Sequence, residues 1–169
     1  MPNLEHAASD VSLVSALSVA SAAAVRHPDP RMARLMAFYD ELSLESLSSL
    51  ALVYSDNARF VDPFNDVTGL KPIRQVFEHM FTTLDAPRFR VTHAVCEGDS
   101  GFVLWDFDFK RKGHKDTQHI HGATHLLFGP DGRVDLHRDY WDAARQVYEQ
   151  VPILGIVLRW LRQQLALKR

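Results

Sequence analysis

The chain has 169 residues, one domain's worth at roughly 150 per domain, and its 46% hydrophobic and 24% charged residues exclude a disordered chain. A formal net charge of -2 excludes a domain that holds nucleic acid by neutralising phosphates. The single cysteine, Cys96, allows neither an internal disulfide nor a thiolate metal site, so the expected compartment is reducing and the expected location cytoplasmic.

Residues 1–28 read as a flexible tail. Residues 11–25 are small and apolar, but Glu5 and Asp10 precede them with no Lys or Arg, which is the wrong flank for a secretory signal. The run is also too short to span a bilayer. The expected domain, 29–150, opens on Asp29 and Pro30, an N-cap residue followed by the proline suited to a first helical turn. Met32, Leu35, Met36, Tyr39 and Leu42 recur at helical spacing, and Ser43 can end that helix and cap a second one running to about Tyr54. Residues 59–63 read as a short strand, and Asn65, Asp66 and Gly69 supply turn chemistry. Ile73, Val76, Phe77, Met80, Phe81 and Leu84 predict a third helix, ended by Asp85-Ala86-Pro87.

Residues 88–141 divide into four strand-like runs at 98–101, 112–115 and 129–132, the pattern of sequential antiparallel hairpins. Helices followed by a meander predict an α+β fold: a curved antiparallel sheet wrapped around three N-terminal helices, with a cavity inside the cone. Ala144, Val147, Tyr148 and Val151 continue at helical spacing to a break at Pro152. A C-terminal amphipathic helix is expected within 151–169. Its stripe of Leu154, Val157, Leu158, Leu161 and Leu165 is flanked by Arg159, Arg162, Lys168 and Arg169. Packing of that stripe on its own domain or a second subunit is preferred to contact with a membrane surface, because Ile153, Ile156 and Trp160 widen the apolar face.

Period-two alternation sorts the chemistry by face. Val103, Trp105, Phe107 and Phe109 share the inner side of one strand, which turns Asp106 and Asp108 outward. His119, His121 and His125 share one parity, a spacing that can bind metal. The other face of their strand, with Ile120, Gly122, Thr124, Leu126 and Phe128, has the cavity composition, so these histidines and His114 are expected outside or in a dimer interface, with no metal held. On the last strand Asp135, His137, Asp139 and Trp141 share parity; if Trp141 points inward, so do His137 and Asp139. A buried carboxylate beside an imidazole is either a general acid/base pair or a structural pair, and the residues leave both readings open. Asp62, between Val61 and Pro63, is the other acidic candidate.

The order of these elements, Asp62-Pro63-Phe64, Gly69, and Asp131-Gly132-Arg133-Val134 followed by His137-Arg138-Asp139-Tyr140-Trp141-Asp142 resemble the nuclear-transport-factor-2-like, or SnoaL-like, superfamily over residues 31–150. That superfamily includes ketosteroid isomerases, limonene epoxide hydrolases and polyketide cyclases. The resemblance implies a cone-shaped fold and a homodimer joined through the outer sheet face, with Asp106, Asp108 and the histidine row in that surface. The isomerase base falls on Asp62, while its oxyanion-stabilising tyrosine and aspartate fall on Phe38 and Thr124. One epoxide-hydrolase aspartate falls on Asp139, but its arginine and second aspartate fall on Phe107 and Phe109.

What remains resembles a polyketide-cyclase site. Asp62, His137 and Asp139 are expected to act as general acid/base groups in a cofactor-free isomerase, cyclase or lyase. Phe38, Tyr54, Phe77, Trp105, Phe107, Phe109, Thr124 and Trp141 are expected to line a pocket for a small hydrophobic molecule. The alternative is a non-catalytic binding or dimerisation module of the same fold.

Overall fold

The computed structural model describes residues 27–148 and 154–166. Most of the tail expected over 1–28, and the break at Pro152, lie outside the described residues. Helix α1 spans Pro30–Asp40, with the Asp29 side chain accepting from the Arg31 amide at 2.8 Å. Ser43 and Ser46 then bond each other reciprocally, amide to hydroxyl, and start a 3-10 turn, Ser46–Ser49, that leads into α2, Leu50–Val53. The second helix therefore ends one residue before Tyr54, and strand β1 occupies Tyr54–Val61 rather than beginning at Arg59. The polar stretch Ser55, Asp56 and Asn57 sits where the pairing register shifts, and this interruption conceals the strand's first half from an alternation test.

Asp66–Thr68, expected as part of a turn, forms a short strand, β2, antiparallel to β1, with Arg59 ion-paired to Asp66 at 2.6 Å. Helix α3, Leu70–Thr83, follows Gly69, whose φ of 99° suits a residue without Cβ. Ile73 and Phe77 are its buried face. Leu84 leaves the helix and opens β3, Leu84–Glu97. Ala86 at φ 49° and Pro87 form the irregularity that turns the chain from helix into sheet, so Leu84 pairs with Arg111 instead of completing the helical stripe.

Strands β4, Ser100–Arg111, β5, Thr117–Phe128, and β6, Val134–Tyr140, complete a six-stranded sheet in the order β2-β1-β6-β5-β4-β3. Every pair is antiparallel except β1 with β6. The sheet is curved and unclosed, and the fold is the α+β cone. Its inner face buries Val103, Trp105, Phe107, Phe109, Ile120 and Leu126 against Leu35, Leu47, Ile73 and Phe77 from the helical side. The outer face pairs His119 with Asp108 at 2.6 Å and His121 with Asp106 at 2.5 Å, while Phe102 and Leu104 stand about half exposed beside them.

A short helix α4, Ala143–Gln146, is capped by Asp142, and α5 spans Leu154–Leu165. Within the single chain Val157, Leu161 and Leu165 of the expected stripe are exposed. At these three positions the stripe is not packed on its own domain. No helix among the described residues is long and apolar enough to cross a membrane.

Candidate functional site

A polar chain crosses the core behind the sheet's inner face. Strand β6 runs between β1 and β5, so its inward side chains are buried from both sides: His137 pairs with Phe60 and Leu126 in register, and the Phe60 ring stacks on the imidazole at 4.4 Å between centroids. A polar side chain in such a place requires partners. The Tyr54 hydroxyl lies 2.9 Å from His137 Nδ1, and the Tyr39 hydroxyl 2.7 Å from that of Tyr54. His137 Nε2 lies 3.0 Å from Asp139 Oδ1. The same Oδ1 accepts a short bond from the Thr124 hydroxyl, whose oxygen accepts from Trp105 Nε1 at 2.8 Å.

Burial pushes both phenols well above the ordinary tyrosine range, so each keeps a proton to donate. With Asp139 as the carboxylate, one arrangement satisfies the whole chain: Tyr39 donates to Tyr54, Tyr54 to Nδ1, and Nε2–H to Oδ1. In that arrangement Nδ1 accepts and Nε2 donates. Asp139 Oδ2 has no hydrogen-bond partner among the described residues, and the carboxylate is 14% exposed.

Asp139 lines two adjoining spaces. A small one of about 30 Å³ is lined by Tyr39, Val91, Thr124, His137 and Asp139, among others. A larger cavity of about 380 Å³ shares Asp139, Phe77, Phe89 and Trp105 with it and runs on past Phe107, Phe109, Ile120, Met80 and Trp141. Its volume is within the roughly 300 to 1,000 Å³ of small-molecule sites, and its walls are mostly apolar.

The residues singled out from sequence divide accordingly. Phe77, Trp105, Phe107, Phe109, Trp141, Asp62 and Asp139 line the larger cavity, and Thr124 and His137 line the smaller. Tyr54 is fully buried behind His137 and lines neither, and Phe38 lines neither. Its neighbour Tyr39 reaches the site instead, because successive helical side chains are rotated by about 100°. Asp62 lines the cavity with its carboxylate engaged: Oδ1 accepts from the amides of Phe64 and Asn65 and from Asn65 Nδ2, and Oδ2 accepts from Asn65 Nδ2. This is an Asx-type turn, and Asp62 closes it. Sequence reasoning missed Phe89, which lines both spaces and is signalled by its shared parity with Val91.

The histidine row stays outside. Besides the two His–Asp pairs, His125 Nε2 lies 3.1 Å from Ser100 Oγ, and no group of three metal-ligating side chains forms among the described residues.

Gly122 is a structural requirement of the site. A Cβ there would overlap the six-membered ring of Trp105. Gly122→Ala is expected to push the indole off Thr124, lower stability by about 1 to 3 kcal/mol, and reshape the cavity. Urea denaturation followed by tryptophan emission measures both effects; a native-like emission spectrum with unchanged stability would show that the ring tolerates the methyl group.

A helix-filled cone with an apolar cavity ending at a hydrogen-bonded carboxylate defines a class of small-molecule-sized α+β domains. Within that class, the chain belongs to the SnoaL-like domain family, whose model matches residues 35–137. Among solved structures it is similar to a hypothetical protein with a ketosteroid isomerase-like fold from Catenulispora acidiphila, crystallised with trimethylamine. Identity there is 17%, covering 71% of this chain and 90% of that one, with a TM-score of 0.60. An NTF2-like protein of unknown function from Burkholderia pseudomallei matches at 14% identity, 69% and 94% coverage and a TM-score of 0.62. A Mycobacterium tuberculosis epoxide hydrolase of the limonene-epoxide-hydrolase-like type matches at 15% identity, 78% and 91% coverage and a TM-score of 0.56. No curated protein sequence matches the chain.

Proposed function

We propose that this SnoaL-like domain binds a small hydrophobic molecule in the larger cavity and moves a proton on it, with Asp139 as the base. The observation that carries this reading is the asymmetry of Asp139. Oδ1 is fixed by Thr124 and His137, while Oδ2 has no partner among the described residues and the side chain lines a mostly apolar cavity. A carboxylate held in one orientation and shielded from bulk water suits abstraction of a proton from an activated C–H bond. His137 does not reach the larger cavity; it is a positioning residue, held by Tyr54 and in turn holding Asp139. Asp62 shapes the cavity wall through its turn.

A second reading, a binding module without chemistry, is favoured by a separate observation. The donors nearest Asp139, from Thr124, His137 and Trp105, are already occupied within the chain, which leaves none of them for a developing oxyanion. Deuterium exchange at the C1 position of 2-tetralone in D2O, followed by proton NMR, distinguishes the two. Exchange above the buffer rate supports the base; saturable binding with exchange at the buffer rate supports the binding module.

We propose further that a second copy of the chain covers the outer sheet face. Val95, Phe102 and Leu104 are 64%, 47% and 50% exposed there beside the His–Asp pairs, an apolar strip rimmed by polar groups. Sedimentation equilibrium is expected to give a dimer for the native chain and a monomer for Leu104→Asp. A native chain that sediments as a monomer would overturn the pairing.

A further inference from the structure

The larger cavity is electrically polarised along its length, and its far end carries a cation with nothing to hold. The inner parity of β4, which runs Val103, Trp105, Phe107, Phe109, continues to Arg111, and Arg111 lines the cavity. It is the only Lys or Arg among the described residues that does so, and no hydrogen bond or ion pair engages its guanidinium among them. Three other guanidinium groups are held by carboxylates, Arg59 by Asp66, Arg90 by Asp106 and Arg133 by Asp131, but none of these lines the cavity. Gln118 and His79 line the same cavity and add polar groups that can complement a bound anion.

The two carboxylates on the cavity wall belong to the opposite end. Asp139 lies opposite Thr124 on β5, whereas Gln118 lies opposite Phe109, two residues from Arg111. Those β5 positions are six residues apart, about 20 Å along a strand at roughly 3.3 Å per residue. Asp62 follows directly on β1, whose Val61 pairs with Arg138, so it flanks Asp139. The aromatic walls of Trp105, Phe107 and Phe109 lie between the two ends.

We propose that Arg111 is a specificity-determining residue, and that the molecule this cavity takes is an amphipathic acid: an apolar body of two or three rings bearing a carboxylate. This deepens the functional reading above and rests on its assignment of the larger cavity as the binding site. The guanidinium receives the carboxylate through a paired N–H fork, while Asp62 and Asp139 repel it from the other end. The molecule is thereby bound in one direction, with its non-ionic end presented to Asp139 Oδ2. Orientation of this kind serves the chemistry, because a reversed ligand would bring a carboxylate against a carboxylate.

The test is isothermal titration of the full chain with biphenyl-4-carboxylate and its neutral isostere biphenyl-4-carboxamide at pH 7.5. The native chain is expected to bind the acid about tenfold or more tighter than the amide. Arg111→Gln is expected to remove that preference, with the acid's affinity falling far more than the amide's, and Arg111→Lys to retain only part of it. Lys110→Gln removes an equal charge from the opposite face of the same strand and is expected to leave the preference intact, which separates direct contact from the general field. The chain's net charge of -2 supplies no overall attraction for acids. Equal affinities in the native chain, or a preference that survives Arg111→Gln, would overturn the role of Arg111 while leaving the cavity reading standing. Binding of neither compound would overturn the cavity reading itself.

Discussion

Asp139→Asn is expected to slow catalysed exchange of 2-tetralone C–H by about 10² to 10⁴, the range associated with a positioned general base, while Asp62→Asn leaves it within about threefold. The contrast follows from what each carboxylate already does. Asparagine at 139 keeps an Oδ1 that can accept from Thr124 and His137, so the side chain stays in place. Its second group becomes an NH2, which can donate to the cavity but cannot take a proton from it. Asparagine at 62 likewise keeps the oxygen that accepts from the Phe64 and Asn65 amides, and so preserves the turn. The two variants thus have similar shape and similar retained bonds, and they differ in whether a free basic oxygen is lost. Exchange rates should be read beside thermal melts, with both variants expected to fold. If Asp62→Asn removes exchange and Asp139→Asn does not, the assignment of the base is reversed.

That assignment shows where sequence reasoning reaches and where it stops. The direction of His137 and Asp139 is legible because strand side chains alternate strictly and Trp141 shares their parity. The aromatic inner face of β4 and the outward histidines of β5 are legible for the same reason. Helical rotation is harder. Phe38 and Tyr39 are both buried apolar positions of α1, and only the packed angle of the helix decides that Tyr39 meets Tyr54 and His137. Tyr54 itself belongs to a strand whose start is concealed by Ser55, Asp56 and Asn57. Asp62 resembles a base by position in the family, yet whether its oxygens are free depends on where two backbone amides point. That information resides in the turn geometry rather than in residue type.

The polar chain behind Asp139 carries the largest expected effect on stability. His137→Ala is expected to destabilise the fold by about 3 to 5 kcal/mol, measured by urea denaturation, because three losses coincide. The imidazole is 3% exposed, so its removal leaves a void against Phe60, which stacks on it. The Tyr54 hydroxyl loses its acceptor inside the core, and Asp139 Oδ1 loses one of its two donors. Tyr54→Phe removes the hydroxyl that bonds Tyr39 and Nδ1, leaves Tyr39 3.4 Å from Nδ1, and is expected to cost about 1 to 2 kcal/mol, while the His137 to Asp139 bond persists. The double variant should cost less than the sum of the two, since the bond between them can be lost only once, and a coupling of about 0.5 to 3 kcal/mol is the measure of the shared chain. Strict additivity would mean that Tyr54 and His137 stabilise the fold independently. In that case Tyr54 would play no part in holding His137 against Asp139, and Tyr54→Phe would leave the exchange rate untouched.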